Sequence, residues 1–365
     1  MPVADQLDLL PDDDILPKVP VRTLGIGIVG AGAIVRAGHL PAYRQAGFRV
    51  SAITDLNPAR ARAAAADFAI ATVHRDLAGL LDDPTVDIVD VAIPPDQQAA
   101  VVRAAAAAGK HVLAQKPLST DLQVAEDLTA LAARSGVRLA VNQQMRWDQV
   151  IRSMKHLLVE GFYGDVTGAV FDVHVLTDWS LWPWLLHQPR LEYFFHSVHY
   201  VDAIRSLFGE PQSVIARTAR YPGQQAVGES RSFTLYEFDG DRVVTVLADH
   251  NNWSSHPHAS VRCTGTDGQS EGTLGVLYDY PVGRPDTFSY WSRTTAPQHT
   301  VTRTFTQRWI PDAFVGPMAD LQDAVAEGRE PLTSARDNLR TLRCVHAAYR
   351  AADLGRRVRL DEVHL

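Results

Sequence analysis

Cysteine is scarce in this chain: Cys263 and Cys344 are the only two in 365 residues, and they stand far apart. A chain long enough to bury large cores needs no staples, so no disulfide framework is expected and a reducing, cytoplasmic setting fits. Concentrated basic clusters are also missing. The formal charge is −7, and neutralising a phosphate backbone takes a dense positive surface, so nucleic acid is not an expected partner. No apolar run approaches the roughly 20 residues needed to span a bilayer, and no membrane partner is expected. The first twenty residues carry Asp5, Asp8, Asp12, Asp13 and Asp14, the wrong charge for a secretory signal. There is no internal repeat, and the alanine-rich stretches are the only low-complexity tracts. The composition that remains, 46% hydrophobic and 21% charged, belongs to a globular protein of about two domains acting on a small molecule.

From Thr23 to Asn142 short apolar runs alternate with helical ones. Residues 24–29, 50–54, 88–93, 112–114 and 139–141 are too short for helices, and several are almost wholly apolar, as in strands covered on both faces. Between them Asn57-Pro58 reads as an N-cap with proline at the first helical position. Gly109 and Gly136 end helices over 95–108 and 121–135, and Thr120 with Gln123 reads as a capping box. Such alternation builds a doubly wound parallel sheet. After Arg146 the texture changes. Residues 166–176 alternate with period two, 233–238 and 243–247 flank Asp239-Gly240 as a hairpin, and 301–305 reads as a further strand. Helices over 149–160, 191–208, 313–327 and 335–352 surround these strands, and residues 250–300 resist assignment. The expected fold is α/β. It comprises a tail over 1–21, a Rossmann domain over 22–146, and a second α/β domain over 147–365 with a large open, mostly antiparallel sheet, whose C-terminal helix returns to the first domain.

Gly30-Ala31-Gly32 follows the first strand and opens a helix through Ala33 and Ile34. Gly30 permits the tight turn, Gly32 lets the backbone approach a pyrophosphate, and the helix N-terminus supplies N–H groups with a positive dipole end. The third small position of a GxGxxG fingerprint falls on Val35, a departure from the motif. Asp55 ends the next strand twenty residues beyond Val35, where a carboxylate accepts from both ribose hydroxyls and repels a 2′-phosphate. NAD is therefore the expected cofactor. Ile93-Pro94-Pro95 gives a rigid edge suited to walling a nicotinamide, and reads equally as a helix entry.

These motifs, with Ala108-Gly109-Lys110-His111-Val112 leading into Gln115-Lys116-Pro117-Leu118 and a helix bearing His199 and Asp202 before Gly209-Glu210-Pro211, resemble the Gfo/Idh/MocA family. That family is named for glucose-fructose oxidoreductase, inositol dehydrogenase and a rhizopine-catabolism protein. The resemblance runs from Leu24 to about Val358. It implies a Rossmann domain, an α/β substrate domain whose open sheet mediates a homo-oligomer (dimer or tetramer), and NAD(P)-linked chemistry on sugars, cyclitols or their acids. Two positions depart from the pattern. Gln115 stands where the family usually has glutamate. Phe195 stands four residues before His199, where an aspartate is common, and His196 stands three residues before it.

Abstracting hydride from a secondary alcohol requires a base for the hydroxyl proton and a donor for the forming carbonyl. Lys116, at the carboxyl edge of the sheet, and His199 supply these functions, with His196 and Asp202 as further candidates because the three recur every third residue on a helix. The cofactor contacts expected are Gly30, Gly32, Ala33, Ile34, Asp55, Ile93, Pro94, Pro95, Gln115, Lys116 and Asn142. For a carbohydrate substrate the expected contacts are Lys116, Arg146, Trp147, Asp178, Trp179, Arg190, Tyr193, His196 and His199. Aromatic faces there stack on sugar C–H surfaces, and the two arginines, joined by Tyr193, grip an acidic group. His196 and His199, or His250, His256 and His258, offer histidine groupings, but no CxxC or HExxH completes a site, and no metal is expected. The leading reading is an NAD-dependent carbohydrate oxidoreductase. The alternative is an NAD-dependent glycosidase, with an acidic sugar among its candidate substrates, working by transient oxidation, elimination, water addition and re-reduction.

Overall fold

The computed structural model describes residues 8–11, 18–19, 24–294 and 299–363. These residues divide into two compact units: one takes 18–19, 24–144 and 310–342, the other 8–11, 145–294, 299–309 and 343–363.

The first unit is built on a six-stranded sheet in the order β3-β2-β1-β4-β5-β6. Its strands are β1 (Ile26–Val29), β2 (Val50–Thr54), β3 (Thr72–Val73), β4 (Ile88–Val91), β5 (His111–Ala114) and β6 (Leu139–Val141), every neighbouring pair parallel. The residues of β1, β4 and β6 are all buried, because helices cover both faces. These helices are α1 (Leu40–Ala46), α2 (Pro58–Phe68), α3 (Leu77–Leu81), α4 (Pro95–Ala107) and α5 (Leu122–Ser135). Asn57 caps α2 by accepting from the Ala59 N–H at 3.0 Å, and Gly136 closes α5 in the left-handed region at φ 68°. The capping residue of α5 is Asp121, which accepts from the N–H groups of Gln123 and Val124. The helix begins one residue later than the Thr120 box implies, and a carboxylate takes the place of the hydroxyl.

Residues 310–342 complete this unit, and they include 335–342, the first turns of the C-terminal helix, whose Ala335 and Leu342 join its core. Helix α8 (Val315–Glu327) carries Val315, Met318 and Leu321, which with Phe314 pack into the core of Ile28, Val35 and Tyr43.

The second unit centres on a nine-stranded sheet in the order β14-β13-β12-β11-β7-β10-β9-β8-β15. Its strands are β7 (Val166–His174), β8 (Ser213–Ala219), β9 (Arg231–Glu237), β10 (Val243–Asp249), β11 (His258–Gly265), β12 (Gly268–Thr273), β13 (Thr287–Ser292), β14 (Val301–Thr304) and β15 (Val358–Arg359). Only β7 and β10 run parallel; the other pairs are antiparallel. One face buries Phe171, Tyr236, Val246, Val261 and Phe288. On that side lie α6 (Gln149–Val159) and α7 (Val198–Phe208). Val150 of α6 sits where a side chain at Gly272 would have to go, 2.3 Å from its Cβ position. The other face leaves Val170, Ile215, Phe233 and Val243 exposed by more than a third. Residues 250–300, unassigned from sequence, supply β11, β12 and β13. The chain ends in α9 (Ala335–Leu354) and β15.

Most of the expected 1–21 tail lies outside the described residues. Residues 8–11 pack on this second unit: Leu10 is buried, the Leu9 N–H donates to the Tyr290 hydroxyl at 2.7 Å, and Asp8 pairs with Arg303. Among the described residues no helix is long and apolar enough to cross a membrane.

Candidate functional site

The glycine loop after β1 has the shape a dinucleotide needs. Gly30 adopts φ +104°, and a Cβ there would fall 2.5 Å from the Ala92 carbonyl oxygen, so only glycine fits. A Cβ on Gly32 would meet nothing within 4 Å: the backbone there faces open space. Helix continues through Ala33 and Ile34 into a π-turn over Val35–His39 and then α1. Asp55, past the end of β2, holds the loop from the side, its Oδ2 accepting from the Ala31 N–H and its Oδ1 from the Asn57 N–H, both at 2.7 Å. Ile93, Pro94 and Pro95 are half-buried beyond β4. These residues fit a dinucleotide.

His39, which the sequence reading passed over, ties this unit's strand ends together. The π-turn brings its ring into the core, fully buried. Nδ1 lies 2.7 Å from Asp90 Oδ2, which also accepts from the Tyr43 hydroxyl at 2.7 Å. Nε2 faces the side-chain nitrogens of Gln115 at 3.0 Å and Asn142 at 3.3 Å. The Lys116 N–H donates to Gln115 Oε1 at 2.8 Å, so the other end of the carboxamide is the one turned to His39. With donors on Nε2 and a carboxylate on Nδ1, the imidazole is the neutral Nδ1–H tautomer.

Lys116 follows directly. The Lys116–Pro117 peptide is cis, and Gln98 of α4 straddles it, donating through Nε2 to the carbonyls of Gln115 and Pro117, each at 2.9 Å. The amine is withdrawn from water, and burial pulls its pKa from 10.5 down to about 7. At neutral pH it is thus poised between proton donor and acceptor.

In the second unit, Met145, Trp147 and Asp148 are buried, and Asp148 caps α6. Arg146 reaches α7, where its Nε and Nη2 donate to the two oxygens of Asp202 at 2.6 and 2.8 Å. Asp202 is 1% exposed, so this is a bidentate, largely buried pair. His199, 5% exposed, meets Trp309 edge-on at 5.0 Å and 90°. His196 belongs to a second π-turn, Tyr193–Ser197, directly before α7. The expected even spacing of His196, His199 and Asp202 is therefore broken between the first and second. His196 lies beside His250, ring centres 4.1 Å apart.

The expected grip of an acid by Arg146, Arg190 and Tyr193 does not form. Arg146 is spent on Asp202, Arg190 pairs with Asp353 and lies over Tyr349, and the buried Tyr193 hydroxyl meets Thr234 at 2.5 Å. Asp178 is exposed and caps the short helical turn Trp179–Leu181, accepting from the Ser180 N–H and hydroxyl. Trp179 packs its ring 5.1 Å from His250.

One grouping the sequence did not single out is Glu192, His196 and His250. One donor atom from each lies within 4.8 Å of the others.

Comparison with known proteins agrees with this architecture. Residues 24–143 match the family model described as "Oxidoreductase family, NAD-binding Rossmann fold", and residues 194–360 match its "C-terminal alpha/beta domain". A D-apiose dehydrogenase of Paraburkholderia graminis is 30% identical over 343 residues, covering 92% of this chain and 89% of that one. The scyllo-inositol 2-dehydrogenase (NADP(+)) IolW of Bacillus subtilis is 22% identical, covering 93% and 97%. Among solved structures, an Agrobacterium radiobacter oxidoreductase in complex with NAD+, L-tartaric acid and magnesium superposes with TM-score 0.83 at 23% identity, covering 94% of this chain and 100% of that one. The chain therefore belongs to the Gfo/Idh/MocA family of oxidoreductases, with an NAD-binding Rossmann domain.

Proposed function

We propose that this protein is an NAD-dependent dehydrogenase acting on a secondary hydroxyl of a sugar, sugar acid or cyclitol. The observation that carries the reading is the Lys116 amine: desolvated to about 7, on a backbone held by Gln98 through the Gln115 and Pro117 carbonyls, and set at the carboxyl edge of a sheet whose first loop leaves Gly32 open. The sugar class is supported by the D-apiose and inositol dehydrogenases among the relatives.

A bound nicotinamide supplies the hydride acceptor. Gly30 and Gly32 admit its pyrophosphate, and Asp55 binds the adenosine ribose in preference to a 2′-phosphate. Neutral Lys116 takes the substrate hydroxyl proton as the carbonyl forms, and returns it in the reverse direction. His199 is the second proton-transfer residue, its orientation supported by the edge of Trp309. Arg146 and Asp202 lie just before α6 and on α7 and act as positioning residues through their mutual fork. A homo-oligomer through the nine-stranded sheet belongs to the same reading, supported by the half-exposed apolar row Val170, Ile215, Phe233 and Val243.

The test is NADH formation, read at its absorbance band, with a panel of aldoses, aldonic acids and cyclitols. Turnover of at least one member, lost in Lys116→Met with folding intact, supports the reading. Aglycone release from glycosides with catalytic NAD and no net NADH would replace it with a redox-neutral glycosidase.

A further inference from the structure

We infer that Glu192, His196 and His250 form a binding site for a divalent transition-metal ion of the zinc class. The inference is independent of the reaction proposed above and reverses the expectation, drawn from sequence, that no metal is bound.

The three residues come from two places in the second unit. Glu192 and His196 are four apart at the π-turn before α7, and His250 follows the last residue of β10. Glu192 Oε1 stands 3.9 Å from His196 Nδ1 and 3.6 Å from His250 Nε2. Both separations are too long for hydrogen bonds. A tetrahedral ion with bonds of about 2.0–2.2 Å would hold its donors roughly 3.3–3.6 Å apart. The present spacing, all within 4.8 Å, needs only a small contraction.

Burial makes the arrangement costly without an occupant. Glu192 and His250 are 0% and 1% exposed, and Glu192 Oε2 and His250 Nε2 are buried without a hydrogen-bond partner. A buried carboxylate oxygen and ring nitrogen left so are expensive. A cation between them answers both.

The surroundings also orient the donors as metal ligands require. His250 Nδ1 lies 2.8 Å from the Thr177 hydroxyl. If that nitrogen carries the proton and donates it, the lone pair sits on Nε2, the atom turned to Glu192. The His250 backbone is pinned by its N–H to the Ser230 carbonyl and by its carbonyl to the Thr177 N–H, each at 3.1 Å. The Ser197 hydroxyl donates to Glu192 Oε1, which fixes the orientation of the carboxylate while a second lone pair on Oε1 and the whole of Oε2 stay available to a cation. Trp179 flanks His250 and Tyr200 flanks His196, at ring distances of 5.1 and 5.3 Å, so the pocket wall is largely aromatic. Two imidazoles and one carboxylate suit zinc, cobalt or iron(II) rather than magnesium or calcium, which seek oxygen sets. Three protein donors leave a fourth position for water or a substrate hydroxyl.

The test uses full-length protein stripped with a chelator and titrated with Co2+ alone. The expected result is one Co2+ per chain with the intense visible bands of a four- or five-coordinate site, displaced by Zn2+. Glu192→Gln and His250→Ala should each weaken binding at least tenfold. Because a buried variant can fail to fold, crystals of the unaltered protein soaked in Zn2+ give a second reading, with an anomalous peak expected between the three side chains. The inference is overturned if the folded protein binds no stoichiometric Co2+, if folded Glu192→Gln and His250→Ala bind it as tightly as the unaltered protein, or if the anomalous peak lies elsewhere.

Discussion

Gln115 donates its side-chain N–H to Nε2 of the buried His39 across 3.0 Å, and that bond links the loop bearing Lys116 to the helix that begins at the glycine cradle. The departure from glutamate at this position is therefore matched locally. A carboxylate would set an acceptor against an acceptor, since the His39 proton already belongs to Asp90.

The matching is directly measurable. In the unaltered protein the 15N spectrum of His39 should show one protonated and one bare ring nitrogen. In Gln115→Glu both should be protonated, because an imidazolium is then required between Asp90 and the new carboxylate. A bare Nε2 persisting in the folded variant would show that the tautomer does not depend on Gln115. Gln115→Leu should cost about 1–3 kcal/mol in urea unfolding, leaving His39 Nε2 and the Lys116 N–H short of partners.

For Lys116 the direction of the pH dependence follows from its depressed value. Its amine loses the proton near pH 7 when folded and near 10.5 when unfolded. Oxidation by kcat/KM should rise with pH through about 7 and then level off, as the amine becomes a proton acceptor. Between those two values the unfolded chain binds more protons, so stability should rise with pH across that window, and the increment should vanish in Lys116→Met. The same variant should lose roughly 10²–10⁴-fold in turnover. A flat rate profile from pH 6 to 9 would remove Lys116 from the proton transfer.

Much of this was legible in the sequence, for reasons that differ between the two units. Strands covered on both faces declare themselves as apolar runs, and residues such as Gly30 and Gly136 are demanded by backbone conformations that few others adopt. Strand β12 alternates small and polar residues instead, as Gly268–Thr273, and its pairing comes from the sheet rather than from local preference. His39 stayed hidden because nothing local marks a histidine whose partners lie 51, 76 or 103 residues away, and His250, grouped in the sequence with His256 and His258, is placed by the fold beside Glu192 and His196 instead. The π-turns at Val35–His39 and Tyr193–Ser197 shift the helical phase by a residue, which a regular periodicity cannot foresee.

Asp55 offers a test of cofactor choice. Its carboxylate already holds the Ala31 and Asn57 N–H groups, so Asp55→Asn keeps an acceptor while removing the charge. The ratio of kcat/KM for NAD over NADP should fall by about tenfold or more, with only a small change in melting temperature. An unchanged ratio would reduce Asp55 to a turn residue.

The fork between Arg146 and Asp202 separates positioning from mere bulk. Asp202 is buried and its side chain also lies 3.9 Å from Arg205, which is itself held by Glu210. Removing the aspartate alone, as Asp202→Ala, strands the Arg146 guanidinium and should cost about 3–5 kcal/mol in stability. Removing both charges, as Arg146→Leu with Asp202→Leu, should recover much of that loss, because two apolar side chains need no partner. Arg146→Lys should not substitute for the arginine, since a single ammonium cannot reproduce the two parallel bonds at 2.6 and 2.8 Å. Equilibrium unfolding of the unaltered protein, Arg146→Leu, Asp202→Leu and the double variant forms a double-mutant cycle whose coupling term should exceed about 1 kcal/mol. A positioning role adds a kinetic signature: the double variant, though stable, should retain a lowered kcat, whereas recovery of kcat together with stability would make the pair purely structural.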